Sequence, residues 1–317
     1  MSVWQSSMIG LARSSAMRRL MQGTQLTQQL AGRFVGGQDA SAAVARAIQL
    51  KRRGLSASLY YLGEYVTDEH RIEGNVAELN AAVQGLAATD LGVHVSVDPT
   101  QVGYARSAAL GERNMQRLAE LVAGVPGQRQ RVLMLDMEDF SYVQPTLDLH
   151  ARLLQANLPA AITIQAYLHR SAADIDRLIG QGATVRLVKG AFAETKERSW
   201  TDRTAISRAY LRLAAKLISA AAQDRGVYPI FATHDEKLIR AIEGMLQAAS
   251  RPAGTYEFEL LYGVRPALQD RLVEDGHAVR LYLPFGTEWW PYAARRVGEN
   301  PANALFVARA LPAALRR

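Results

Sequence analysis

The chain has 317 residues, 49% hydrophobic and 21% charged, with a net charge of +7 and no cysteine. This composition supports a sizeable core and excludes disordered and fibrous classes, and the lack of cysteine removes disulfide frameworks, thiolate metal sites and cysteine nucleophiles. Lys and Arg are interleaved with acidic residues, the pattern of a solvated surface rather than a nucleic-acid-binding face, and no run approaches the roughly 20 apolar residues that span a bilayer.

The first 38 residues contain no Asp or Glu and several Arg, Ser and Gln, a composition shared with mitochondrial transit peptides, whereas Thr27 to Val35 reads as the start of a folded helical arm. From about residue 55 a short apolar run, a polar turn and a longer helix-period segment recur. The predicted strands are Ser56–Leu62, Val93–Val97, Val132–Asp136, Ala161–Tyr167, Thr184–Lys189, Tyr228–Thr233, Tyr256–Leu261 and Ala278–Leu283. Between them lie helical stretches such as Asn75–Ala88, Gly111–Val125, Ser171–Ile179, Ala205–Asp224 and Asp235–Ala249. Strands alternating with helices imply parallel pairing, and eight such units close into a (β/α)8 TIM-type barrel. No linker or composition shift divides the chain, so the expected organisation is an N-terminal helical arm over residues 1–50 and one catalytic barrel over 51–317.

Barrel chemistry gathers at the carboxyl ends of the strands. Polar groups fall at or just after the predicted ends: Glu64, Asp98, Asp136 with Glu138, Gln165 with Arg170, Arg186 with Lys189, Thr233-His234-Asp235, and Tyr282. The segment Arg186 to Phe192 alternates cations with apolar residues and ends in Gly190, where a backbone can approach a ligand. Positive charge there suits the pyrimidine side of a reduced flavin, and equally a pair of surface cations capping a strand. Thr233, His234 and Asp235 can hold a cofactor's phosphates, ribityl or adenine portion, with a structural histidine as the alternative. No second His or Cys lies at ligand spacing, so no metal is expected. After Pro291, suited to a helix's first turn, Tyr292, Arg295, Arg296 and Glu299 share one helix face. Two adjacent guanidiniums match a single carboxylate, although surface ion pairs would use the same residues.

Together, Leu62-Gly63-Glu64, Leu135-Asp136, Ile164 to Tyr167, Arg186 to Ala191, Tyr228 to His234, Tyr256 to Gly263 and the closing Arg-Arg helix resemble the proline dehydrogenase family, monofunctional bacterial type, over roughly Gly54 to Phe306. The resemblance implies FAD-dependent oxidation of L-proline to Δ1-pyrroline-5-carboxylate by hydride transfer to flavin N5, with electrons passed to a quinone. It implies that Arg295 and Arg296 bind the substrate carboxylate, that Tyr282 and Tyr292 line the pocket, that Glu64 pairs with Arg295 in a gate, and that Glu299 steadies the arginines. Gln165, Arg186, Val188, Lys189, Gly190, Ala191, Thr233 and His234, joined by Asp235, fall where the family holds FAD. Asp136 falls beside flavin and proline, and Leu187 and Leu261 would pack on the cofactor.

Two departures from that family matter. Asp98 stands where a lysine is common, near the predicted Asp136, and two close carboxylates favour protonation of one. Phe192 stands where a tyrosine is usual. A related cyclic imino acid is therefore the alternative substrate, and a barrel lacking flavin catalysis is the alternative of a different class. The protein is expected in the cytoplasm, with peripheral inner-membrane contact through the quinone, no nucleic-acid partner, and oligomerisation left open.

Overall fold

The computed structural model describes residues 32–127, 130–290 and 292–293. Eight parallel strands, β1 (Leu55–Tyr61), β2 (Val93–Val97), β3 (Arg131–Leu135), β4 (Ala160–Gln165), β5 (Thr184–Val188), β6 (Tyr228–Ala232), β7 (Glu257–Leu261) and β8 (Val279–Phe285), close into a barrel in sequence order, β8 pairing back onto β1. Helix α1 (Ala40–Lys51) precedes β1. The strands are then separated by α2 (Glu69–Ala87), α3 (Ala108–Ala123), α4 (Phe140–Gln155), α5 (Ser171–Gly180), α6 (Arg203–Ile218) with α7 (Ala220–Asp224), α8 (Glu236–Ala248) and α9 (Pro266–Glu274). The predicted barrel is therefore present, strand for strand.

Local chemistry explains where the helix boundaries differ from expectation. Helix α2 starts well before Asn75 because the Asp68 side chain accepts the Arg71 backbone N–H, a cap that contributes about 1 kcal/mol. The same device starts α1, α4, α6 and α8 at Asp39, Asp139, Asp202 and Asp235. The single helix predicted over Ala205–Asp224 breaks at Ser219, whose backbone is extended and whose hydroxyl caps α7 through Ala222 N. Apolar periodicity continues through the break, so only the serine marks it.

Side chains alternate across each strand. Leu133, Ile162, Val185, Phe231, Phe258 and Leu281 join the core shared with the helices, while Val132, Met134, Ala161 and Ile230 form a separate apolar cluster. Other inward positions are polar. Near the barrel floor Arg280 donates to Glu257 at 2.5 Å and to the Ala57 carbonyl. Higher up, Arg186 on β5 reaches across to Ser58 on β1, Ser96 on β2 and Glu259 on β7, contacts that only an interior side chain can make.

At the carboxyl rim, residues 33–37 lie along β8: Gly36 N donates to the Pro284 carbonyl at 2.7 Å, and Gly286 N donates to the Gly37 carbonyl at 3.0 Å. Phe34 and Val35 are buried there. A Cβ at Gly263, whose φ is +76°, would fall 1.7 Å from the Arg33 carbonyl oxygen. We expect Gly263→Ala to cost about 2 kcal/mol or more, because strained backbone and displacement of residue 33 combine. Gly254→Ala, with φ +81° and nothing within 4 Å, should cost only about 1 kcal/mol. Urea denaturation midpoints of the two variants check the difference.

Candidate active site

The carboxyl ends of the strands enclose a cavity of about 320 Å³. Of the residues singled out from sequence, Glu64, Asp98, Asp136, Tyr282 and Tyr292 line it. Gln165, Arg186, Val188, Lys189, Gly190 and Ala191 line it too, as do Thr233, His234 and Leu261. Asp235 stands behind the wall, where it accepts from Lys189 Nζ at 2.8 Å and caps α8. Leu187 points the other way: its neighbours Arg186 and Val188 face inward, so alternation sends it into the helix core, where it is fully buried. It cannot pack on a ligand in the cavity. Arg295, Arg296 and Glu299 lie outside the described residues.

Arg186 organises the interior below the cavity. Its Nε and Nη2 donate to Glu259 at 2.6 and 2.9 Å, and its Nη1 pairs with Asp136. Burial opposes its charge, but Glu259 and Asp136 outweigh burial and raise its pKa. Asp136 also accepts from Thr163 Oγ1 at 2.9 Å and Tyr282 Oη at 2.8 Å, so three donors fix its carboxylate. Tyr282 does not end its strand as predicted. Strand β8 runs on to Phe285, which leaves Tyr282 mid-strand, pointing inward under the cavity with the Arg186 guanidinium 5.2 Å from its ring centre. Burial, then Asp136 and Asp98, push the Tyr282 hydroxyl well above its usual pKa, so it acts as a donor.

The wall between β1 and β3 is acidic. Tyr60 Oη lies 2.5 Å from Asp98 Oδ2 and 3.0 Å from Glu64 Oε1, and the Tyr60 ring packs on Tyr282 with centroids 5.0 Å apart. Glu138 accepts from Thr100 N at 2.8 Å and Thr100 Oγ1 at 2.6 Å; burial nevertheless pushes its carboxyl up to about 7. Tyr60 and Glu259 were not singled out from the sequence. Their signal is polar alternation inside apolar strands, Ser56, Ser58 and Tyr60 in β1 and Glu257 and Glu259 in β7.

Next to that wall, at the end of β4, Gln165 Nε2 donates to the Met137 and Glu138 carbonyls at 3.2 and 3.1 Å. Its Oε1 is thereby turned away, buried and without a partner among the described residues, an acceptor suited to an N–H such as a flavin's pyrimidine ring carries. Gly190, which lines the cavity, takes φ +110°, and a Cβ there would strike the Tyr167 ring, so this turn requires glycine to pack against Tyr167. His234 Nε2 accepts from Leu261 N at 2.9 Å and ties the end of β6 to that of β7. Among the described residues no cluster of three metal-ligating side chains occurs, and no helix is long and apolar enough to cross a membrane.

The family model for proline dehydrogenase matches residues 43–309. Proline dehydrogenase 1 of Bacillus subtilis (strain 168) is 33% identical over 282 residues, covering 89% of this chain and 90% of that protein. The proline dehydrogenase of Deinococcus radiodurans is 31% identical over 288 residues, with the same coverage. Among solved structures, proline utilization A from Bdellovibrio bacteriovorus inactivated by N-propargylglycine superposes with a TM-score of 0.77 at 23% identity, over 86% of this chain and 33% of that one. This chain thus spans about a third of that structure's length, and the likeness concerns the fold.

A carboxyl whose folded pKa is raised stabilises the fold while protonated, and that stability is lost as pH rises through the folded value. Glu138, moved from 4.5 to about 7, should therefore reduce stability progressively across that interval. We expect the wild type to lose roughly 1–3 kcal/mol relative to Glu138→Gln between about pH 5 and 7.5. Denaturation of both proteins across this range checks the sign: parallel curves would refute it.

Proposed function

The chain belongs to the proline dehydrogenase family, oxidoreductases acting on CH–NH donors, and on that premise we propose that it oxidises L-proline to Δ1-pyrroline-5-carboxylate using FAD bound at the barrel mouth. The observation that carries the cofactor reading is the buried Gln165 Oε1, without a partner among the described residues, in the wall of one cavity that the Lys189-Gly190 backbone and the Thr233-His234 strand end also line. FAD would be held by Gln165, Lys189, Gly190, Ala191, Thr233 and His234, with Val188 and Leu261 as apolar walls and Asp235 steadying Lys189. Bound there, it supplies a two-electron acceptor that takes hydride at N5. Arg186 acts on the pocket through its charge and through its grip on Asp136, since protein groups already occupy its donors.

The chain's own contribution is orientation. Arg295 and Arg296 bind the substrate carboxylate, Glu299 steadies them, Glu64 pairs with Arg295 at the rim, and Tyr282 and Tyr292 confine the ring from below and beside. In this reading residues 1–50, of which 1–31 lie outside the described residues, are the N-terminal arm and 51–317 the catalytic barrel. Electrons pass to a quinone, which brings this cytoplasmic protein to the inner-membrane surface, with the basic arm assisting contact. A second reading, a related cyclic imino acid as substrate, is favoured by Asp98 on the cavity wall; comparing proline with its ring homologues as dye-linked reductants decides between them.

The purified protein should absorb near roughly 450 nm, as oxidised flavin does. Arg295→Met and Arg296→Met should each weaken substrate binding by about 2–4 kcal/mol without releasing FAD, since each breaks a charge-assisted pair in a closed pocket. Near-normal Michaelis constants in both variants would remove the carboxylate role.

A further inference from the structure

A neutral phenol carries one hydrogen and can donate it to one acceptor at a time. Tyr60 Oη nevertheless lies within hydrogen-bond distance of two carboxyl oxygens, Asp98 Oδ2 at 2.5 Å and Glu64 Oε1 at 3.0 Å. Were both carboxyls ionised, one contact would set lone pair against lone pair. One carboxyl must bring its own proton. Asp98 is only 8% exposed, whereas Glu64 is half-buried, so a negative charge is costlier at Asp98. The groups facing Asp98 sharpen this: Tyr60, Glu64 and Tyr65 from β1 and its loop, Asp136 and Glu138 from β3 and its loop, Tyr282 from β8, and Arg186 of β5 behind Asp136. Burial, then Glu138, Glu64 and Asp136, raise the Asp98 pKa well above its ordinary value. Both contacts are satisfied together when the hydrogens run one way, with a protonated Asp98 Oδ2 donating to Tyr60 Oη and Tyr60 O–H donating to Glu64 Oε1.

This order leaves Asp98 Oδ1 as a neutral acceptor. It makes no hydrogen bond to any described residue, and Asp98 lines the cavity. The other carboxylates of the described wall are committed, Asp136 to Arg186, Thr163 and Tyr282, and Glu259 to Arg186.

We propose that Asp98, Tyr60 and Glu64 form the path by which the substrate's secondary ammonium loses its proton before oxidation, an inference that rests on the imino-acid reading above. Hydride can leave the ring carbon only when the nitrogen lone pair is free. In the relay the ammonium N–H bond breaks and an O–H bond forms at Asp98 Oδ1. The Asp98 Oδ2–H bond breaks as its proton joins Tyr60 Oη, and the original Tyr60 O–H bond breaks as its proton joins Glu64 Oε1. An ammonium and a carboxylate become an amine and a carboxylic acid, Asp98 and Tyr60 stay neutral, and no electrons or outside reagents are needed. Glu64, half-buried at the rim where the reading above also pairs it with Arg295, then returns the proton to water.

The test uses the FAD-loaded full-length enzyme, with kcat/KM for proline measured against pH. Tyr60→Phe removes the relaying hydroxyl but keeps the ring packed on Tyr282; Asp98→Asn keeps the shape but cannot pass a proton. Each should lower kcat/KM at neutral pH by about 100-fold or more, move the acid limb to higher pH, and recover activity there. The double variant should lose no more than either single one. Independently of turnover, the infrared spectrum of the resting wild type should contain a deuterium-sensitive carbonyl band of a protonated carboxylic acid that is missing in Asp98→Asn. A loss equal at every pH, an unmoved acid limb, or an infrared difference without that band overturns the relay. A wild type that binds no flavin or fails to oxidise proline defeats the earlier reading instead, and the infrared comparison still tests the order of the hydrogens.

Discussion

A guanidinium sealed inside the barrel governs the whole upper interior. Arg186 is 2% exposed, and a cation so far from water persists only if opposite charge and hydrogen-bond acceptors replace its hydration. Glu259 from β7 and Asp136 from the end of β3 supply the charge, while Ser58 and Ser96 supply further oxygens from β1 and β2. One side chain thereby links strands on opposite sides of the barrel. Asp136 is held by that link from one side and by Tyr282 from another, so the position of this cavity-lining tyrosine is set by a charge pair on a different strand. Breaking such a pair by removing one partner typically costs about 3–5 kcal/mol, which is why the arrangement is rigid rather than adaptable.

The second consequence is a mouth in which carboxyls outnumber cations among the described residues. Glu64, Asp98, Asp136 and Glu259 face the cavity, against Arg186, which is committed to two of them, and Lys189, which is paired with Asp235. Repulsion of that kind is relieved by bringing in cations or by taking up protons. Arg295 and Arg296, in the proposed arrangement, are the cations. Protons account for the remainder, since burial already raises the pKa values of Asp98 and Glu138. The electrostatics of the pocket are thus partly fixed and partly a function of pH.

The architecture was legible because its signal is repeated and local. Each strand is a short apolar run and each helix a period, and a boundary wrong by one or two residues leaves the barrel intact. The same small error matters more for a site. Extending β8 to Phe285 moves Tyr282 from the rim to a layer below it, and strand alternation turns Leu187 out of the pocket that its neighbours line. Lining residues such as Gln165 and Lys189 were legible because they end strands. Tyr60 and Glu259 were not, because their importance lies in partners far along the chain: Asp98 is 38 residues from Tyr60, and Arg186 is 73 from Glu259. Charge inside an apolar strand was the available clue, and it says that a partner must exist without saying which.

Asp98 and Tyr60 illustrate why such pairs have to be read jointly. Strands β1 and β2 pair with Tyr60 opposite Ser96, so Asp98 sits two positions beyond that register on the same inner face, within reach of the phenol. A lysine at position 98 would donate to the phenolic oxygen and leave the phenol's hydrogen for Glu64, satisfying all three groups with no added proton. A carboxyl at the same position cannot do so unless it carries a proton itself. The sequence departure at this position is therefore more than the loss of one charge. In the proposed arrangement it exchanges a fixed cation for a mobile proton on the wall beside Asp136, at a place where the Tyr60–Glu64 hydrogen bond leads outward to the rim.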